Sequence, residues 1–379
     1  MESMKIPFNK PLILNKELDC IKRVFDIDQF SGNGEFSKKC NSILELKTGC
    51  KKSIVTSSCT DALEMTALLA DIQPGDEVIM PSFTFVTTAS AFELRKANIV
   101  WCDIRPDTKN IDENKIESLI TSRTKAVVVV HYAGVGCNMD AIVSICRKHG
   151  LILIEDDAQG IDASYNGKPL GSFGDMAAIS FHETKNIQCG EGGALLVNDH
   201  GLVERAEFIR DKGTDRIHFS KGLVDKYTWV ELGSSFLMSE LQAAFLYPQL
   251  ENSIIVNQDR LKSWDLYYKY LSEFIEEEKL PVIPDHCVHN AHMFYLMCES
   301  FQERRSLIDL LNLNGIGAIF HYVPLHRAPY WKGKYENLNL EVTDSVSQTL
   351  LRLPMYYGLK ENEIEYICNK IKEFYKGGK

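Results

Sequence analysis

The chain has 379 residues and a formal net charge of −10, long enough for a large core split between one large and one smaller domain. The negative balance argues against a general nucleic-acid surface. Eleven scattered cysteines, with no CxxC pair, argue against a disulfide framework or zinc site and for a reducing compartment. Residues 1–10 lack the apolar core of a signal peptide and no apolar run is long enough to span a membrane, so a soluble, cytoplasmic protein is expected.

Between about residues 50 and 200, apolar strand-like runs alternate with amphipathic helical stretches. Ser53-Ile54-Val55-Thr56 reads as a strand that turns through Ser57-Ser58-Cys59-Thr60 into a helix over 61–70. Strands are predicted at 77–80, 99–102, 126–130, 151–154 and 176–179, with a helix over 139–149 closed by Gly150. Continuous apolar strands separated by helices mean a mainly parallel sheet buried on both faces, an α/β fold. Tyr165-Asn166-Gly167-Lys168 fits a type I′ hairpin turn. The character changes near residue 250: a long helix is predicted over 250–274, then strands at 293–297 and 319–323 around a helix at 304–314, and a closing helix at 361–375. The expected division is a large domain over 1–250 and a smaller α+β domain over 251–379.

Lys185 is the residue with the most to say about chemistry. It follows the strand ending in Ser180 and precedes the turn Gly190-Glu191-Gly192-Gly193. Most lysines in loops are surface residues; a lysine held at a strand's end can also form a Schiff base with an aldehyde cofactor. Asp156 ends the preceding strand, where an aspartate can cap a helix or keep a pyridine nitrogen protonated. Together the two point to pyridoxal 5′-phosphate, with Gln159 within reach of its ring hydroxyl. Ser58, Cys59 and Thr60 form either an ordinary capping turn or a phosphate cradle at a helix N-terminus, and Ser180 is a further candidate for the phosphate. Phe83 or Phe85 either stacks on a flat cofactor or belongs to the core. His131 reads as a satisfied structural histidine, while His321 and His326 either face a substrate or pair with backbone. No histidine shows metal-ligand spacing. Arg216, Lys221 and Lys226 are either diphosphate ligands or solvated loop residues.

In order along the chain, Ser58-Cys59-Thr60, Gly75-Asp76-Glu77-Val78, Pro81-Ser82-Phe83-Thr84, Val130-His131-Tyr132-Ala133-Gly134, Glu155-Asp156, Ser180-Phe181-His182 with Lys185-Asn186, and His321-Tyr322 with Pro324-Leu325-His326 form a specific set. This set resembles the nucleotide-sugar aminotransferases of the DegT/DnrJ/EryC1/StrS family. The resemblance implies pyridoxal phosphate fold type I, the aspartate aminotransferase-like architecture, working as a homodimer with active sites at the subunit interface. It implies Lys185 as the Schiff-base lysine, Asp156 on the pyridine nitrogen and Gln159 on the ring hydroxyl. Ser58, Cys59, Thr60 and Ser180 would hold the phosphate, Phe85 would cover the ring, and His321, Tyr322, His326 and Lys226 would meet the substrate. Many relatives carry Asn or Arg in the motif after the position of Gly233 for a contact from the partner subunit; here Leu237 stands in that place and Ser234 and Ser235 are the candidate substitutes. Within the family, Asp225-Lys226-Tyr227-Thr228-Trp229 and Asn290-Ala291-His292-Met293-Phe294-Tyr295 are most similar to members that aminate C4 of a dTDP-4-keto-6-deoxy sugar from L-glutamate. The alternatives are the gluco epimer, amination at C3, and a regulatory protein on the same fold.

Overall fold

The computed structural model describes residues 5–377; residues 1–4 and 378–379, which belong to the expected leader reading and to the ends of the two expected domains, lie outside the described residues. The valine- and isoleucine-rich runs form β1 (Lys52–Thr56), β2 (Glu77–Pro81), β3 (Asn98–Cys102), β4 (Thr124–Val130) and β5 (Ile152–Asp156). A hairpin of β6 (Ser164–Tyr165) and β7 (Lys168–Pro169) comes next, then β8 (Met176–Ser180) and β9 (Gly193–Val197). The hairpin turns through Asn166 at φ 47° and Gly167 at φ 73°, the left-handed pair that a type I′ turn requires.

Seven strands make one sheet in the order β1-β9-β8-β5-β4-β2-β3. β9 runs antiparallel to both its neighbours and every other pairing is parallel. β2, β8 and β9 are buried at every residue, because helices cover both faces. On one face, the helix Cys59–Leu69 packs Met65 with Phe92 and Trp101. On the other, the helix Glu35–Thr48 packs Leu44 with Ile179, Leu196 and Leu246.

Buried carboxylates fix the joints of this layer. Glu155 accepts N–H bonds from Gly171 (2.9 Å), Phe173 (2.7 Å) and Gly174 (2.7 Å), which shapes the turn before β8. Its remaining partner is His131 Nε2 at 2.9 Å, while Cys137 N donates to His131 Nδ1 at 3.2 Å. His131 is therefore spent on structure. Glu240 accepts from the backbone N–H groups of Gly34, Phe36 and Ser37, satisfying the first turn of the helix Glu35–Thr48 from 200 residues away in sequence.

The C-terminal part adds β10 (Cys287–Val288), which extends the β6–β7 hairpin, and β11 (Phe294–Met297), β12 (Ile319–Phe320) and β13 (Leu350–Leu353), in the order β11-β13-β12. The helices Ser253–Leu271, Phe301–Leu313 and Glu361–Gly377 pack against this sheet around Tyr267, Leu307, Leu351 and Ile367. Two expectations need correction. The single helix over 250–274 is two, Glu240–Glu251 and Ser253–Leu271, because Asn252 leaves helical geometry and bonds back to Pro248 O at 2.8 Å. The strand over 319–323 keeps only Ile319–Phe320: the chain turns off before Pro324, which has no N–H for a ladder. Asp103, just past β3, accepts from Thr343 N at 2.9 Å and Thr343 Oγ1 at 2.8 Å, so the large sheet holds the start of the helix Glu341–Thr349.

Candidate active site

In open α/β sheets, ligand sites form beyond the carboxyl ends of the parallel strands. β5 ends at Asp156 and β8 at Ser180. The loop after Ser180 is pinned by Phe181 N to Gly192 O (2.8 Å), Glu183 N to Gly190 O (2.8 Å) and Lys185 N to His182 O (2.9 Å). Beside it, Asn186 donates to Asn257 Oδ1 (2.8 Å) and Asn290 O (2.9 Å) and accepts from His292 Nδ1 (3.0 Å). These bonds anchor the backbone that carries Lys185. Burial pulls the Lys185 ammonium below its ordinary range, while Cys59 and Asp156 push it back up.

The Asp156 carboxyl is 5% exposed. Its Oδ2 accepts from Thr88 Oγ1 at 2.6 Å and its Oδ1 from Ala158 N at 3.2 Å. Burial raises it above the usual carboxylate range; Thr88, Ala158, Lys185 and His131 restrain the rise. Thr88 sits in the helix Val86–Glu93, whose entry residue Phe85 is 58% exposed. Phe83, by contrast, is core: its ring lies 5.3 Å from that of Tyr132 and 5.4 Å from that of Tyr322.

Ser58 caps the helix Cys59–Leu69 by accepting from Asp61 N at 3.0 Å, and Cys59 at the helix start lies near enough to Lys185 and Asp156 to feel their charges. β9 runs so close to this turn that a Cβ on Gly193 would stand 2.4 Å from Cys59 N and 2.5 Å from Ser58 C. Only glycine fits there. Burial drives the Cys59 thiol well above its ordinary value, and Asp156 adds to the rise. Ser180 Oγ accepts from His182 N at 3.4 Å.

Gln159 is oriented by two bonds: its Oε1 accepts from Ala133 N (2.7 Å) and its Nε2 donates to Tyr322 OH (3.3 Å). Ala133 itself is held at φ 60°. His321 stacks on Tyr322 with centroids 3.8 Å apart, and its two ring nitrogens meet Tyr132 OH (3.3 Å) and Arg352 Nη1 (2.5 Å). Lys185, Asp156, Cys59, Tyr322 and His321 thus lie close enough to act on one another's charge, and Gln159 joins them through Tyr322.

Other expected site residues lie apart from this group. His326 is buried, with Nδ1 on Ser82 Oγ at 2.8 Å and Nε2 3.3 Å from Asp344, which makes it a joint between two loops. Lys226 and Lys221 are exposed, and Arg216 sits 3.7 Å from Asp211. Ser234 and Ser235 are exposed, tied through their backbones to Lys212 and Asp211. Four pocket residues carried no expectation of a role: Thr88, Tyr132, His292 and Arg352. The signal for Arg352 is a lone charge inside the apolar strand Leu350–Leu353, at the position where the side chain points away from the buried Leu351 and Leu353. Thr88 carries no such signal.

A lysine amine, a buried carboxyl and a helix N-terminus packed on glycine fit a phosphorylated pyridine aldehyde. The structure superimposes on DesV of S. venezuelae, solved with a ketimine intermediate, with a TM-score of 0.89 at 28% identity over 98% of each chain. The architecture and pocket define a pyridoxal phosphate fold type I aminotransferase. The chain belongs to the DegT/DnrJ/EryC1/StrS aminotransferase family, whose model matches residues 11–372, and its cofactor is pyridoxal 5′-phosphate. Relatives include a pleiotropic regulatory protein of Geobacillus stearothermophilus, 34% identical over 90% of each chain. The spore coat polysaccharide biosynthesis protein SpsC of Bacillus subtilis is 28% identical over 98% of this chain and 97% of its own. No helix among the described residues is long and apolar enough to cross a membrane.

Proposed function

We propose that this protein moves an amino group from L-glutamate to C4 of dTDP-4-keto-6-deoxy-D-glucose, giving dTDP-4-amino-4,6-dideoxy-D-galactose for a surface polysaccharide. We place the reaction in the cytoplasm, in a homodimer whose active sites lie at the subunit interface. The observation that carries the catalytic reading is the shared pocket of Lys185 and Asp156, each shifted by burial and each restrained by the other. The sugar reading rests on the local stretches around Lys226 and His292 and is supported by a relative named for polysaccharide biosynthesis.

Pyridoxal phosphate supplies an electron sink for the carbon that bears the transferred nitrogen. Asp156 would sit against the ring nitrogen and hold it in its charged form, its burial strengthening that pairing. Gln159, already aimed by Ala133, would meet the ring hydroxyl through its amide. Ser58, Cys59, Thr60 and Ser180 would hold the phosphate at the helix N-terminus, Phe85 would cover the ring, and Ser234 and Ser235 would reach the phosphate of the partner subunit's site. His321, Tyr322, His326 and Lys226 line the way for the sugar nucleotide. The Lys185 amine, lowered by burial, takes a proton from the donor's Cα and delivers one to C4 of the sugar. Its position on one side of the pocket sets the epimer.

Lys185→Ala should hold the cofactor weakly and show no turnover; undiminished transamination by that variant overturns the catalytic reading. Mass and NMR analysis of the product from the keto sugar and glutamate tests the rest. A gluco epimer or a 3-amino sugar replaces the proposed product while leaving the chemistry in place. The name of the Geobacillus relative fits a regulator, but a regulator needs neither Lys185 nor Asp156 in this arrangement.

A further inference from the structure

Asp157 is the buried carboxyl with the least to hold it. Asp156 before it meets Thr88 on one face of the sheet; alternation along the chain turns Asp157 to the other face, where Leu44 and Ile179 lie. It is 1% exposed, and among the described residues neither of its carboxyl oxygens has a hydrogen-bond partner. Its neighbours are used: Glu155 by three N–H groups and His131, Asp156 by Thr88 and Ala158. Asp157 instead forms part of the wall of a cleft of about 310 Å³ between the helix Glu35–Thr48 and the β6–β7 hairpin. Leu44, Ile161, Leu170 and Ile179 make the apolar wall, and Lys47 and Asp162 line it as well. Two glycines leave the carboxyl its room: a Cβ on Gly160 would stand 1.9 Å from Oδ1, and one on Gly171 3.1 Å from Oδ2.

The charges of this cleft do not balance. Lys47 Nζ pairs with Asp162 at 2.8 Å, which leaves Asp157 without a cation. Burial drives Asp157 well above the usual carboxylate range, with Glu155, Asp156 and Asp162 adding to the rise, so the acid keeps its proton. A neutral carboxyl still forfeits its hydrogen bonds there. One monovalent cation would restore both charge and bonds. A metal ion is a poor match: among the described residues no three histidine, cysteine or carboxylate side chains gather to hold one. The apolar wall suits carbon. An ammonium group on a short hydrocarbon fits the carboxyl and the wall together.

We propose that this cleft binds a small organic ammonium ion, its nitrogen on Asp157 and its hydrocarbon against Leu44, Leu170 and Ile179. The ligand's N–H groups donate to the Asp157 carboxylate, and the proton that the carboxyl held passes to solvent. A neutral acid and a free ammonium ion thus become a buried ion pair and one released proton. Lys47 stays on Asp162, so the ligand adds a charge rather than displacing one. The site is separate from the one that holds Lys185, and no part of its argument depends on transamination.

The test titrates n-butylammonium chloride into the wild-type holoenzyme, with sodium chloride at the same concentrations as the control. Calorimetry at pH 7 should find saturable binding of the ammonium ion and none of sodium. Repeating it in two buffers of different ionisation enthalpy should show the release of about one proton per ligand bound. Asp157→Asn keeps the size of the side chain and removes its charge; affinity should fall by at least about tenfold, and the proton release should vanish. If that variant melts early, Asp157→Ala, which removes the carboxyl altogether, reads the same two losses. Equal affinity in wild type and variant overturns the proposal. So do binding without proton release, saturation by sodium as readily as by butylammonium, and no binding at about 10 mM.

Discussion

At the scale of single residues, the pocket is a set of charges kept in unusual states by burial. Lys185 and Arg352 are cations drawn downward by burial, and His292 and His321 are bases that burial, and then both cations, hold well below the ordinary histidine value. Above about pH 6.5 these imidazoles are neutral in native and unfolded chains alike and contribute no pH dependence. Below it the unfolded chain takes up protons that the native pocket refuses, so stability is lost as pH falls. Asp156 and Asp157, raised by burial, act in the opposite direction, which makes absolute stability a poor readout. The informative quantity is a difference. His292→Gln keeps a donor for Asn186 and removes one titrating base. Relative to the variant, the wild type should lose about 1.4 kcal/mol per pH unit between pH 6 and 5. Urea midpoints at pH 7.5, 6 and 5 measure it, and a constant gap across that range refutes a buried neutral His292.

At the scale of elements, the helix Glu35–Thr48 is the sharpest case of long-range dependence. It opens on Gly34, which has no side chain to cap with, and Glu240 supplies the missing acceptors. Glu240→Gln turns one acceptor into a donor facing those N–H groups. It should destabilise the fold by about 2 kcal/mol, the cost of a lost charge-assisted bond to buried donors, read as a lower denaturation midpoint. An unchanged midpoint would show the cap to be dispensable. Six of the seven strands of the large sheet were legible because apolar runs report burial directly, and the hairpin at Asn166-Gly167 because two left-handed residues have few other uses; β9, straight after the glycine turn at 190–193, was not expected. The position of Asp156 at the end of β5 and of Lys185 in the loop after β8 follows from the apolar runs that precede them. The break at Asn252 was not, since Pro248 and Asn252 sit inside one continuous helical pattern and the stop comes from a local side-chain bond. Nor were the roles of Arg352 and His292 legible: both depend on the C-terminal sheet folding back over the large one, a long-range fact that no window of sequence contains.

At the scale of the molecule, one surface stands out. Leu223, Tyr227, Trp229, Val230 and Leu232 are all exposed, Trp229 at 74%, within one loop that leads directly to Ser234 and Ser235. Exposed apolar side chains gathered in one loop mark an interaction surface more often than an idle one. The same loop holds the residues proposed to reach a partner's phosphate site, so one contact would both bury the patch and complete the pocket. Sedimentation should then find a species of about twice the 43.0 kDa chain mass at micromolar concentration. Replacing Leu223 and Trp229 together by aspartate should shift it to the chain mass, with loss of tightly held cofactor and turnover, because neither half-site is complete alone. A wild-type chain that sediments as a monomer yet keeps full turnover would remove the partner from the active site and return the phosphate to the residues of the helix N-terminus, Ser58 to Thr60.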